Sequence, residues 1–194
     1  MIQHRFYAPK GGQGTTVVAC AFALQQPGRT LLVDDRGDCA AALGMAQPVV
    51  GEIVTVTDML DLLVLDDHVV PDTITGDVLA RYDQVVYDGE PPTSTTLTKE
   101  LRTEIGLCTS VEHMVIRADY LALRRAIGIR TPDRVVLVME PGRALRPDDV
   151  ARSLGIRETE VLTLNLDPAV ARAVDAGLLA CRLPASLKGL AHHE

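Results

Sequence analysis

The chain has 194 residues, of which 47% are hydrophobic and only 3% aromatic, and a formal net charge of −7. This length predicts one globular domain over residues 1–194, and the hydrophobic fraction excludes a disordered chain. The negative charge argues against indiscriminate binding of nucleic acid by the whole surface. No apolar run approaches the roughly 20 residues of a membrane-spanning helix, and the first residues lead into a strand pattern rather than a signal peptide. We therefore expect a cytoplasmic protein.

The cysteines are far apart in the sequence and include no Cys-x-x-Cys pair: Cys20, Cys39, Cys108 and Cys181. Structural zinc sites and iron–sulfur clusters usually draw ligands from close pairs of cysteines. Cytosolic thiols also stay reduced, which argues against disulfides. We interpret all four as small buried residues.

The N-terminal part of the chain follows the order strand, glycine-rich loop, helix, strand. Residues 2–8 form a predicted strand that ends at Pro9. Apolar residues recur at helical spacing from 15 to 25, and Pro27-Gly28 ends that helix. Residues 30–33 are a short apolar strand. Together these segments are a βαβ unit, the building block of a parallel sheet.

Strand and helix patterns alternate through the rest of the chain, although residues 45–72 show no clear pattern. Thr93, Asp119 and Pro147-Asp148 are typical helix starts. We therefore predict an α/β fold with a doubly wound, mostly parallel sheet flanked by helices. The predicted strands are 84–87, 113–116, 135–139 and 161–164, and the predicted helices lie near 73–82, 95–105, 119–127, 147–153 and 168–176.

The glycine-rich loop has the chemistry of a phosphate-binding site. Glycines let backbone N–H groups converge on phosphate oxygens, and the start of the following helix adds partial positive charge. A threonine hydroxyl at that helix start can bind a magnesium ion. The segment reads Lys10-Gly11-Gly12-Gln13-Gly14-Thr15-Thr16.

This segment resembles the deviant Walker A motif of the ParA/MinD-type ATPases, Lys-Gly-Gly-x-Gly-Lys-Thr-Thr. The resemblance implies a P-loop NTPase fold, with ATP or ADP and Mg²⁺ bound by the loop residues Lys10 to Thr16. It implies that Lys10 reaches across a nucleotide-sandwich homodimer to the partner's phosphates, and that Thr16 binds magnesium. Thr15 stands where the ordinary P-loop lysine would be, or that lysine has been deleted. In either case a charge on the phosphates is missing, so we expect weak or absent hydrolysis.

Two further segments resemble the magnesium-binding strands of the family. Leu31-Leu32-Val33-Asp34, followed by Gly37-Asp38, is similar to the second strand and switch region of the CpaE-like branch. There the resemblance implies a metal-proximal role for Asp34 and a carboxylate that orients the attacking water, for which Asp35 and Asp38 compete. The alternative is a solvated acidic turn. Val85-Val86-Tyr87-Asp88 resembles the Walker B strand, whose aspartate holds the water shell of the magnesium ion.

The C-terminal segment 167–177, which begins with Asp167-Pro168, resembles the loop and helix that border the adenine pocket in the family. However, the Asn-Arg pair usual after the fifth strand is replaced by Met139-Glu140-Pro141. Base recognition is therefore expected to differ from that of the family.

Two functions follow from these resemblances. The first is a nucleotide-dependent switch that positions or partitions cargo, either DNA or cell-envelope machinery, as a homodimer with a protein partner. The second is a pseudo-ATPase scaffold that acts only through protein or DNA interaction. Residues 117–157 carry nine arginines against five acids, which suggests non-specific DNA binding or a solvated rim. The tail at 187–193 is too short and too weakly basic for a clear membrane anchor.

Overall fold

The computed structural model describes residues 1–65, 76–91 and 109–190. In chain order its elements are β1 (Ile2–Tyr7), α1 (Thr15–Ala23), β2 (Thr30–Asp34), α2 (Cys39–Leu43), β3 (Ile53–Thr57), β4 (Leu60–Val64), α3 (Gly76–Leu79), β5 (Gln84–Asp88), β6 (Thr109–Arg117), α4 (Tyr120–Ala126), β7 (Arg134–Met139), α5 (Pro147–Leu154), β8 (Val161–Asn165) and α6 (Pro168–Asp175), with short 3₁₀ turns at Glu158–Glu160 and Ala185–Leu187.

The strands form one eight-stranded sheet in the order β3-β4-β2-β5-β1-β6-β7-β8. Every neighbouring pair is parallel except β3 and β4, which form an antiparallel hairpin at one edge. The chain moves from β1 toward one edge and later returns to the other, so the topology reverses beside β1. In such sheets ligands bind at the carboxyl ends of the strands near this reversal. The predicted doubly wound, mostly parallel fold is confirmed.

Side chains alternate across the sheet and build a core on each face. From β1, Phe6 packs with Phe22 of α1 in the larger apolar cluster, which also includes residues of α2. The next residue, Tyr7, points to the opposite face and packs with Met114 and with Val150 of α5. Phe6 and Tyr7 are both fully buried, as expected for a parallel sheet covered by helices on both faces.

The stretch without a clear pattern contains the hairpin of β3 and β4, which the sequence analysis missed. The apolar run of β4 is interrupted by Asp61, which is buried because Arg29, Tyr82 and Thr55 all donate hydrogen bonds to its carboxylate. A register shift between Thr55 and Thr57 also disturbs the alternation in β3. Neither feature is visible as a strand signal, since two partners of Asp61, Arg29 and Tyr82, are 32 and 21 residues away in the sequence.

Other predictions differ in detail. β6 begins at Thr109, four residues before the predicted strand. The predicted helix at 95–105 and its start at Thr93 lie outside the described residues. Residues 73–75 of the predicted 73–82 helix also lie outside them, and the described part of that helix contains α3. Cys20 and Cys39 are buried as expected, and Cys108 lies outside the described residues. Cys181 is exposed, so the interpretation was wrong for Cys181. Within the described residues no helix is long and apolar enough to cross a membrane.

Candidate functional site

The glycine-rich segment forms a loop from the end of β1 to the start of α1, as predicted. Gly12 and Gly14 have φ values of 75° and 91°, in the left-handed region that favours glycine. No heavy atom lies within 4 Å of a Cβ placed on Gly11, Gly12 or Gly14, so the space beside the loop is open. Apart from the adjacent residues in the chain, a methyl-sized group would therefore meet no atom at these three glycines.

Between the end of β1 and the start of α1, Gln13 is the one buried loop residue, with 3% of its surface exposed. Its side-chain Oε1 accepts a hydrogen bond of 2.8 Å from the backbone N–H of Arg117 at the end of β6. Its Nε2 donates to the carbonyl of Gly11 at 3.4 Å. The side chain of Gln13 therefore anchors the loop to the sheet. Sequence reasoning placed Gln13 in the loop but offered no signal for its partner, 104 residues away.

Lys10 is held on its own chain. Its Nζ lies 3.2 Å from Oδ2 of Asp119, and the two side chains are 22% and 18% exposed. Asp119 also caps α4 by accepting a hydrogen bond of 2.7 Å from the backbone N–H of Ala122. Burial raises the pKa of Asp119, but this hydrogen bond and the Lys10 ammonium outweigh it and lower the pKa below its usual value. Lys10 thus stabilises the charged form of Asp119.

Asp34 and Asp88 meet at the carboxyl ends of the adjacent strands β2 and β5, where they are register partners. Asp34 is fully buried and shapes the turn that follows it. Its Oδ1 accepts hydrogen bonds from the N–H groups of Arg36 and Gly37, at 2.9 and 2.8 Å. Its Oδ2 accepts one from the N–H of Cys39, at 2.8 Å. Asp34 therefore has a structural role whether or not a metal is bound.

Asp88 is also fully buried, but its carboxylate is less well satisfied. The thiol of Cys39 donates to Oδ2 at 3.7 Å, whereas Oδ1 has no hydrogen-bond partner among the described residues. Burial raises the pKa of Asp88 to about 6; the Thr16 hydroxyl opposes this shift, and the charge of Asp34 contributes to it. The Thr16 hydroxyl therefore faces Asp88, whereas Thr15 is the first residue of α1.

The two competing candidates for the water-orienting carboxylate lie in different environments. Asp35 is half-buried beside Gly89, and its backbone N–H donates to the carbonyl of Asp88 at 3.0 Å. Asp38 is exposed at the start of α2, where its side chain forms no capping hydrogen bond. Arg36, between them, forms an exposed ion pair of 3.3 Å with Glu90.

A mainly apolar cavity of about 210 Å³ adjoins the loop, with Gln13, Gly14, Val138, Leu164, Asp167 and Val170 among its lining residues. Asp167 caps α6 through the N–H of Ala169 and accepts a hydrogen bond of 2.8 Å from the Ser186 hydroxyl. These hydrogen bonds, from Ala169 first and then Ser186, hold the pKa of Asp167 below its usual value. Pro168 is the first residue of α6. The cavity therefore lies between the glycine-rich loop and the first turn of α6.

The solved structures most informative for this fold are ParA- and MinD-type proteins. A ParA family ATPase from Chlorobium tepidum is 14% identical, with a TM-score of 0.72 over 99% of this chain and 96% of that chain. The MinC:MinD cell division complex of Aquifex aeolicus is 13% identical, with a TM-score of 0.70 over 100% of this chain and 94% of that chain. A Cyanothece McdA variant in complex with ATP is 15% identical, with a TM-score of 0.63 over 100% of this chain and 96% of that chain. The chain has the ParA/MinD fold. No protein-family model and no curated protein sequence matches the chain.

On this ParA/MinD-type fold, about half of the arginines in the arginine-rich region are paired with acids. Within the described residues, five of its nine arginines form ion pairs with nearby acids: Arg117, Arg130, Arg143, Arg152 and Arg157. Glu140, at the position of the missing Asn-Arg pair, binds both Arg117 and Arg143. This arrangement favours the solvated rim over a polyanion-binding face.

Proposed function

We propose that the protein is a nucleotide-binding switch of the ParA/MinD type that positions or partitions a cargo, with weak or absent ATP hydrolysis. The observation that carries this proposal is the meeting of four features at one edge of the sheet. These are the open glycine loop, Thr16 at the start of α1, the buried Asp88 opposite it, and the apolar cavity beside the loop. The loop would bind phosphates, Thr16 and Asp88 would bind a divalent cation, and the cavity would bind a base.

The residues present fit Mg²⁺ coordination through Thr16 and Asp88. The Thr16 hydroxyl and the unpartnered Oδ1 of Asp88 are oxygen ligands of the kind that Mg²⁺ prefers, directly or through its water shell. A bound Mg²⁺ would neutralise charge on the β- and γ-phosphates. Asp34, the register partner of Asp88, would lie near the ion, and its Oδ2 keeps a free lone pair because only one of its three backbone hydrogen bonds is to that atom.

Slow hydrolysis follows from charges that the site lacks. At position 15 the loop carries a buried threonine instead of a lysine, so no ammonium lies next to the β- and γ-phosphates. Preorganised charge commonly contributes more to transition-state stabilisation than any other single effect. We expect turnover below the usual enzyme range of roughly 1–1,000 per second. Robust Mg²⁺-dependent phosphate release by the purified protein would contradict this.

Dimerisation is proposed to use Lys10. The ion pair with Asp119 holds Lys10 on its own chain, so we expect this pair to weaken or open when Lys10 reaches a phosphate on a second chain. A compact ammonium on a flexible stem suits this exchange better than a planar guanidinium. Nucleotide on the partner chain would supply the competing negative charge.

A second candidate function is a scaffold that binds partners without nucleotide turnover. It is favoured by Thr15 in place of lysine and by Glu140, which pairs with Arg117 at the rim of the apolar cavity. Both departures weaken nucleotide recognition but leave the fold intact.

Calorimetric titration with ATP and with ADP, each with and without Mg²⁺, separates the two functions. The switch predicts saturable ATP binding that tightens with Mg²⁺, and a change in sedimentation with a non-hydrolysable ATP analogue. Thr16→Val should remove the effect of Mg²⁺ while ATP binding without Mg²⁺ is retained. The scaffold predicts no heat of binding and no change in sedimentation.

A further inference from the structure

A buried cluster of three side chains contains a thiol that the nucleotide site does not need. One ligand atom each from Asp34, Cys39 and Asp88 lies within 4.8 Å of the others, and all three residues are buried. The carboxylates come from adjacent strands, and Cys39 is the first residue of α2. The cluster therefore brings two oxygen donors and one sulfur donor to one point.

The cluster has the spacing of a cation site. For an ion with bonds of about 2.1 Å to oxygen and about 2.3 Å to sulfur, tetrahedral geometry separates these two ligand atoms by about 3.6 Å. Sγ of Cys39 lies 3.7 Å from Oδ2 of Asp88. No large movement is needed to place both atoms in one coordination shell.

An independent observation also points to a ligand. Asp88 is fully buried, yet its Oδ1 has no hydrogen-bond partner among the described residues. Burying a carboxylate without partners is costly, and such groups are usually paired or bound to metals. In the described part of the chain neither Asp34 nor Asp88 forms an ion pair, so no side-chain cation occupies this role.

We infer that Asp34, Cys39 and Asp88 form a cation site whose thiol ligand favours Zn²⁺ or Co²⁺ over Mg²⁺. Magnesium takes oxygen ligands almost exclusively, whereas thiolate selects softer ions. On binding, the Cys39 thiol releases its proton to solvent and the thiolate bonds to the metal. The half-buried Thr16 interacts with Asp88, so the cluster is one side chain away from the phosphate loop. The inference shares Asp34 and Asp88 with the proposed function, but it rests on the geometry of the three side chains.

Titration with Co²⁺ in the absence of nucleotide tests the inference, because a cobalt–thiolate bond absorbs in the near ultraviolet. The background is Cys108→Ser/Cys181→Ser, which removes the exposed Cys181 and the cysteine outside the described residues. We expect absorption that saturates at one Co²⁺ per chain and is abolished by Zn²⁺ but not by a 100-fold excess of Mg²⁺. Adding Cys39→Ser should remove the band, and Asp88→Asn should weaken Co²⁺ binding by about tenfold or more.

Cys20→Ser is the matched control, because Cys20 is buried next to Cys39 and is not part of the cluster. It should retain the cobalt band. Absence of the band from the background protein, its persistence in folded Cys39→Ser, or displacement of Co²⁺ by Mg²⁺ would overturn the inference. If Cys39→Ser does not fold, Asp88→Asn decides in its place, since it keeps the thiol.

Parallel ATP titration in EDTA separates this inference from the proposed function. ATP binding without a cobalt–thiolate band would leave the nucleotide switch standing and reject the thiol ligand. A cobalt–thiolate band without ATP binding would support the thiol ligand and reject the nucleotide switch.

Discussion

Lys10 and Asp119 form an ion pair of 3.2 Å that ties the phosphate loop to the first turn of α4. The same carboxylate caps that helix through the N–H of Ala122. The pair is only partly exposed, so it is screened less by salt than a pair on the open surface. The residue proposed to act on a partner's phosphates is therefore restrained by its own chain, and three predictions concern this loop.

Lys10→Ala should abolish the nucleotide-induced dimer while changing the stability of the monomer little. Removing one partner of a partly exposed ion pair costs about 1 kcal/mol or less, because solvent screens the pair. Sedimentation velocity with and without a non-hydrolysable ATP analogue measures the dimer, and urea unfolding measures stability. Lys188→Ala is the matched control, since Lys188 is exposed in the C-terminal segment. Equal dimerisation of Lys10→Ala and Lys188→Ala would reject the role of Lys10 in the dimer.

Asp119→Asn should strengthen the nucleotide-induced dimer. Asparagine caps a helix about as well as aspartate, so α4 should be preserved while the charge that holds Lys10 is lost. The dimer dissociation constant, measured by sedimentation equilibrium with the ATP analogue, is expected to fall by a factor of about 2 to 10. Asp119→Ala, which removes the cap as well, controls for the loss of the helix start. A weaker dimer in Asp119→Asn would mean that Asp119 itself contacts the partner.

Thr15→Lys should tighten ATP binding. Thr15 is the first residue of α1, and Thr16 rather than Thr15 interacts with Asp88, so a lysine at position 15 would restore the missing charge beside the phosphates. Calorimetry should give a dissociation constant for ATP at least about tenfold lower than that of the unchanged protein, equivalent to about 1.4 kcal/mol. Thr15→Met, similar in length but uncharged, is the control. If the two variants bind ATP equally well, the charge at position 15 does not limit affinity.

The loop and the strand ends were predictable because their signals are local. Glycines at fixed spacing between an apolar strand and an apolar helix predict a loop, and Asp119 before Tyr120–Ala126 predicts a cap. The contacts that give these residues their chemistry are not local. Cys39 meets Asp88 across 49 residues, only because β2 and β5 are neighbours in the sheet. A single cysteine carries no spacing signal, so this contact had to come from the structure.

The same limit applies to a buried histidine pair beneath α1, which no local sequence pattern predicts. Nδ1 of His4 lies 3.1 Å from Nε2 of His113, and the His113 ring stacks on Phe6 with centroids 4.4 Å apart. Burial, aided by the charge of Arg134, lowers the pKa of His4 to about 4. Burial, His4 and Arg134 also lower the pKa of His113. Both rings are therefore neutral at pH 7.

This pair should make the protein less stable as the pH falls from 6.5 toward 4. In that range an unfolded chain protonates both histidines, but the folded chain does not protonate His4 until about pH 4. The unfolded state then binds more protons, so the free energy of unfolding decreases with decreasing pH. His4 alone should account for a loss of about 2 kcal/mol between pH 7 and pH 5. Urea unfolding at pH 7, 6 and 5 measures this loss.

The control is His4→Leu/His113→Leu, which fills the site with apolar groups that cannot titrate. Between pH 7 and pH 5, its free energy of unfolding should decrease by at least about 2 kcal/mol less than that of the unchanged protein. Parallel pH dependence of the two proteins would show that the histidine pair does not control acid stability.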